Sequence, residues 1–127
     1  MRVLLVEDNA LNMEIAQFLL ETSGAVVTRA WNGREAVERL AASAPGGYQA
    51  ILMDVMMPVM DGFEASRAIR ALDRPDAATV PILAMTAQAS DESAQSCHQV
   101  GMNGRLVKPL DAKKLAKSIR EAVQNKQ

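Results

Sequence analysis

Thiol and imidazole chemistry have almost nothing to work with in this chain. Among 127 residues there is one cysteine, Cys97, and one histidine, His98. A lone cysteine excludes an intrachain disulfide and a cysteine-built zinc site. A lone histidine excludes a multi-histidine metal site. Any metal must therefore be held by oxygen, which points to magnesium, calcium or manganese. The net charge is −1, so no overall field favours nucleic acid or an anionic membrane. No apolar run approaches the roughly 18 residues of a membrane span. There is no P-loop and no Gly-rich dinucleotide fingerprint, which argues against a nucleotide ligand. The N-terminus enters a strand pattern at once and shows no signal peptide. The expectation is a cytoplasmic protein, or the cytoplasmic part of something larger.

What is present is an ordinary globular composition, 49% hydrophobic, of a size that suits one domain over residues 1–127. The apolar run Tyr48 to Met53 ends on one carboxylate, Asp54, before the Pro58 loop. It reads as a buried strand with a charge at its carboxyl end. Four further strand patterns flank it: Arg2–Val6, Ala25–Ala30, Val80–Met85 and Arg105–Val107. Helical patterns alternate with them. Asn9, Asn32, Asp61, Ser90 and Asp111 stand where N-caps belong, and Gly24 and Gly101 where helices stop. In the first helix Leu11, Ile15, Phe18, Leu19 and Thr22 recur at helical spacing, and that face is expected to turn inward. Strict alternation implies an α/β fold, with parallel strands and helices on both faces. Right-handed crossovers make a doubly wound five-stranded sheet of order 2-1-3-4-5 the natural choice.

In that architecture every strand exit lies along one edge. The first strand delivers Glu7 and Asp8, the third Asp54, the fourth Thr86 and the fifth Lys108. Three crowded carboxylates need a cation, and Mg²⁺ suits one or two carboxylates plus a phosphate. A hydroxyl and an ammonium nearby can hold phosphoryl oxygens. The set reads as phosphoryl chemistry at a carboxylate.

Four segments make the reading specific: Val3-Leu4-Leu5-Val6-Glu7-Asp8-Asn9, Met53-Asp54 through Asp61-Gly62, Pro81 through Thr86-Ala87, and Val107-Lys108-Pro109. In this order and spacing the sequence resembles a receiver domain of two-component response regulators. Asn9 to Asn12 and Met57-Pro58-Val59-Met60-Asp61-Gly62 look most like receivers of hybrid sensor histidine kinases. The resemblance covers essentially the whole chain and implies a flavodoxin-like (βα)5 fold. It implies that Asp54 is the phosphoacceptor and that Asp8, Asp54 and the Met56 backbone carbonyl coordinate Mg²⁺, Glu7 acting partly through water, with Mn²⁺ as a substitute. Lys108 and Thr86 would hold phosphoryl oxygens, Thr86 being the switch hydroxyl. The Lys108–Pro109 peptide would be cis. The donor would be a phosphohistidine on a histidine kinase or phosphotransfer protein. No nucleic acid or membrane would be contacted directly, and the chain would be a monomer or weak dimer. It would catalyse its own phosphorylation and dephosphorylation rather than turn over external substrates. One position departs from the family pattern. Arg105 stands where the family usually carries an aromatic switch residue, and a guanidinium cannot bury itself as a ring does. Arg105 is expected to stay outside and act through the fourth-helix surface.

Two other classes compete. A small-molecule phosphatase would share the nucleophile but normally needs a second acid two residues later, where Met56 stands, and a cap insertion that is missing. A non-phosphorylated binding module would usually lack part of the acidic set. Each residue also has a plain structural reading. A lone Asp after a strand is most often a turn former, Cys97 a small core residue, His98 a surface group, and Lys113, Lys114, Lys117 and Arg120 a solvated face.

Overall fold

Five strands and five helices alternate along the chain: β1 (Arg2–Val6), α1 (Ala10–Thr22), β2 (Val26–Ala30), α2 (Gly33–Ala42), β3 (Ala50–Asp54), α3 (Gly62–Arg70), β4 (Ile82–Thr86), α4 (Asp91–Gln99), β5 (Gly104–Val107) and α5 (Ala112–Gln124). This computed structural model describes residues 1–55, 57, 60–87 and 91–124, with 91–94 described by backbone alone. Ser90, expected to cap α4, lies outside the described residues. All strand pairs are parallel and the sheet order is β2-β1-β3-β4-β5, as the alternation required. The β2, β3, β4 and β5 boundaries move by one or two residues from those the sequence pattern predicts, within the usual fraying of strand ends.

The sheet is covered on both faces, which is why β1, β3 and β4 read as continuous apolar runs. Leu4, Val6, Ile51, Met53, Ile82 and Ala84 face α2, α3 and α4, packing with Leu40, Ile69 and Cys97. Val3, Leu5, Leu52, Leu83, Met85 and Leu106 face α1 and α5, packing with Met13, Leu20, Leu115 and Ile119. The caps form as expected. Asn9 accepts from Asn12 N–H, Asn32 from Glu35 N–H and Asp61 from Glu64 N–H, each at 2.9 Å. Asp111 accepts from Lys113 and Lys114 N–H. Gly24 and Gly101 adopt φ of +92° and +90°, the left-handed helix stop that glycine tolerates.

One expectation fails. In α1 the buried stripe is Met13, Ala16 and Leu20, while Leu11, Ile15 and Phe18 point to solvent at 65%, 48% and 69% exposure. Thr22 is exposed as well and Leu19 only half-buried. At 100° per residue the two stripes lie on opposite sides of the helix. Both are apolar, so periodicity alone offers two candidate core faces. The smaller Ala16 and the flexible Met13 lie against the sheet. Met57, just past β3, joins the core.

Candidate functional site

Side chains alternate along a strand with period two, and this decides which residues meet at the carboxyl edge. Glu7 follows Val3 and Leu5, Asp54 follows Ala50 and Leu52, and Lys108 follows Leu106. All three therefore share the α1/α5 face. Register completes the convergence, because Val6 is level with Met53 and Asp54 with Met85. Glu7 is 1% exposed and Asp54 5%, although both are acids. The Lys108 ammonium lies between them, its Nζ 3.3 Å from Glu7 Oε2 and 3.3 Å from Asp54 Oδ2. The Lys108–Pro109 peptide that carries it round the corner is cis. The backbone N–H of Lys108 donates to Thr86 C=O at 2.8 Å, which ties the ends of β4 and β5 together.

Asp8 leaves β1 on the other parity and is exposed. Even so, one carboxylate oxygen from each of Glu7, Asp8 and Asp54 falls within 4.8 Å of the others. Burial pushes the Glu7 carboxyl up to about 7, helped by its hydrogen bond to Asp54 and by that residue's charge, with Lys108 opposing. Burial alone would lower Lys108, but the charges of Asp54 and Glu7 outweigh it and hold the ammonium above its ordinary value. One ammonium among three carboxylates leaves negative charge in excess. An all-oxygen donor set of this compass, with negative charge in excess, fits a hard divalent ion.

Thr86 is buried at the end of β4, one position beyond the residue level with Asp54. Its parity places it on the α3/α4 face. Arg105 shares that face, level with Ala84. It is half-buried and lines a cleft of ≈ 230 Å³ with Cys97, His98 and Met102, so it does meet the α4 side of the sheet. Met56 lies outside the described residues. Cys97 is buried and His98 exposed, as their plain readings had it.

A cleft that no sequence motif marks lies beside the acids. Asn12, Ile15, Ala16, Pro109 and Leu110 wall a space of ≈ 390 Å³ that reaches Glu7 and Lys108. The exposed α1 stripe runs alongside it. The second apolar stripe of α1 was the available signal.

This arrangement has close parallels. The response regulator receiver domain model matches residues 3–120. The chain belongs to that family. A hybrid signal transduction histidine kinase B of Dictyostelium discoideum is 43% identical over 86% of this chain and 6% of its own length. Histidine kinase 1 of Arabidopsis thaliana is 34% identical over 93% of this chain and 12% of its own length. The receiver domain thus spans about an eighth or less of those relatives. A crystal structure of the receiver domain of a Pseudomonas aeruginosa sensor histidine kinase, with magnesium coordinated in its active-site cleft, superposes at a TM-score of 0.86. It is 36% identical, and the match covers 98% of both chains. Among the described residues of this receiver domain, no helix is long and apolar enough to cross a membrane.

Proposed function

We propose that this receiver domain accepts a phosphoryl group from a partner phosphohistidine onto Asp54 and thereby switches its α4/β5 face. The observation that carries this reading is the buried Asp54 carboxylate, held 3.3 Å from Lys108 with Glu7 and Asp8 converging beside it. An Asp54 oxygen attacks phosphorus in line, the phosphorus–nitrogen bond breaks, and its electron pair returns to the donor imidazole. Lys108 holds one phosphoryl oxygen and Thr86 another. Glu7, Asp8, Asp54 and the Met56 carbonyl are the residues that would hold Mg²⁺. When bound, that ion offsets the charge of the phosphoryl group and the acids; Mn²⁺, with similar oxygen preferences, would substitute. Hydrolysis returns the carboxylate, so the domain acts on itself and turns over no external substrate.

The donor, a histidine kinase or phosphotransfer protein, would dock over the acids against the exposed Leu11, Ile15 and Phe18. An apolar stripe bordering a charged cleft suits a helical partner surface. The switch would run through Thr86 and Arg105 on the shared α4 face. We take residues 1–127 as one cytoplasmic receiver unit, monomeric or weakly dimeric, with no direct contact to nucleic acid or membrane.

Intact mass after incubation with acetyl phosphate and Mg²⁺ tests the proposal. Wild type is expected to gain one phosphoryl group only when Mg²⁺ is present, and Asp54→Ala none. An equal gain in both proteins would remove Asp54 as the acceptor. No gain in wild type, together with no Mg²⁺ binding, would favour a non-phosphorylated binding module.

The acid cluster also makes metal binding pH-dependent. Mg²⁺ needs ionised ligands, and Glu7 is about one-tenth ionised a unit below its raised value and about nine-tenths a unit above it. Affinity is therefore expected to rise roughly tenfold from pH 6 to pH 8, with release of close to one proton at pH 6. Calorimetry in buffers of different ionisation enthalpy reads both quantities. Equal affinity at the two pH values would show that Glu7 has no part in holding the ion.

A further inference from the structure

Helix α2 adds no carboxylate to the Glu7, Asp8 and Asp54 cluster, yet its first residue touches Met60, between Asp54 and α3. Gly33 is buried, and its N–H donates to Met60 C=O at 3.1 Å. That N–H has no partner inside α2, because the first turn of a helix leaves its donors open. A Cβ at Gly33 would fall 2.5 Å from Met60 O, and 3.0 Å from both Ala65 Cβ and Met60 Cγ. The demand here is for space, since the contact is backbone against backbone. Two neighbours hold the N–H in place: Asn32 caps Glu35 N–H, and Glu35 Oε1 accepts from Trp31 N–H at 3.1 Å.

At the start of α3, Gly62 N–H donates to Val55 C=O at 3.2 Å, and a Cβ at Gly62 would fall 2.5 Å from Asp54 O. Asp61 then starts α3 by capping Glu64. Val55 and Gly62 are thus tied to each other, and Met60 is pinned from the side by α2.

We infer that Gly33 is a positioning residue, through which the N-terminus of α2 sets the placement of Met60 and of the turn into α3. The inference rests on the proposed function, because the chain between Asp54 and that turn contains the Met56 carbonyl assigned to Mg²⁺. A methyl at position 33 forces Met60 away, and the turn into α3 with it. No other described residue of α2 can correct this, since the clash is with a main-chain oxygen.

Gly33→Ala is expected to weaken Mg²⁺ binding at least fivefold and to slow Asp54 phosphorylation at limiting Mg²⁺, with most of the rate restored at saturating Mg²⁺. In the metal-free protein it is expected to speed amide exchange at Gly62. Gly46→Ala is the stability control. Gly46 has φ +77°, so alanine is strained there, but its Cβ would meet nothing within 4 Å. At matched destabilisation Gly46→Ala should keep wild-type Mg²⁺ affinity. Wild-type affinity in Gly33→Ala, or equal losses in both variants, would overturn the inference. If Gly33→Ala does not fold, Asn32→Ala frays the first turn of α2 without added bulk. Wild-type Mg²⁺ affinity and Gly62 exchange in that variant would overturn it equally. If wild type itself neither binds Mg²⁺ nor accepts a phosphoryl group, the proposed function fails. Gly62 exchange then still decides whether Gly33 positions the turn into α3.

Discussion

Lys108→Ala is expected to cost about 2–3 kcal/mol of stability at pH 8 and clearly less at pH 5. The ammonium bridges two buried carboxylates, and removing it leaves both without their nearest cation. Glu7 would then be pushed above its already raised value of about 7. A carboxyl whose folded value lies above its unfolded value is fully accommodated below the ordinary range near 4.5. It loses that contribution as pH rises through the folded value. The penalty of the variant must therefore grow between pH 5 and pH 8, as Glu7 is forced to ionise beside Asp54 and Asp8. Urea denaturation at the two pH values reads the difference. A pH-independent penalty would mean that Lys108 acts only by packing. The same variant should lower the rate of phosphoryl acceptance by roughly 10²-fold, the usual cost of removing one preorganised partner of a developing oxyanion. Its Mg²⁺ affinity should rise, because a competing positive charge has left the acids. Slower acceptance with tighter Mg²⁺ is a pairing that general unfolding would not produce.

At the opposite edge of the sheet, Arg70→Ala is expected to destabilise the fold by about 3 kcal/mol, lowering Tm by roughly 10 °C. The Arg70 side chain leaves the end of α3 and spends its donors on neutral acceptors. Nε and Nη2 reach Gly101 C=O at 3.0 and 2.6 Å, and Nη1 reaches Val80 and Ala77 C=O at 2.8 and 3.1 Å. Nη2 also donates to Asn103 Oδ1 at 2.9 Å, and that oxygen accepts from Ile82 N–H. One guanidinium thereby ties the C-terminal stop of α4 to the segments that enter β4 and β5. Burial pulls Arg70 below the ordinary arginine range. Alanine would leave these carbonyls without their donors, and an unsatisfied buried acceptor costs more than a hydrogen bond gains. Arg70→Lys should recover little, because a point ammonium cannot spread across four acceptors as a planar fork does. Mg²⁺ affinity should stay at the wild-type value, since the network lies at the amino-terminal edge of the sheet. A loss below about 1 kcal/mol in thermal or urea denaturation would show that water replaces the network without penalty.

The candidate site was legible because each of its residues ends an apolar strand or stands within two positions of its exit. Glu7, Asp8, Asp54, Thr86 and Lys108 sit where a hydrophobic run gives way to polar residues, and parallel topology sends every such exit to one edge. The caps were legible for a similar reason. Asn9, Asn32 and Asp61 bond to backbone three residues on, a local event that needs no partner from elsewhere.

The contacts that escaped the sequence are long-range. Asp73 to Asp76 reads as a polar loop, but Arg74 and Asp76 form a nearly buried ion pair at 2.5 Å. Asp76 also accepts from Gly46 N–H at 2.9 Å, and Arg74 donates to Leu40 C=O at the end of α2. Arg74 and the Asp76 charge, held below the ordinary carboxylate range by that arginine, clamp two loops far apart in sequence. No local pattern announces such a pair, since a charged loop is usually solvated.

Strand and helix order, sheet topology, helix caps and the residues of the acidic edge follow from patterns within a few positions of each residue, combined with the handedness of crossovers. The inward face of α1, the Arg70 and Arg74 networks and the contact of Gly33 with Met60 do not. Each depends on which of two chemically similar surfaces meets a particular neighbour, and that choice is made by packing across the whole sheet.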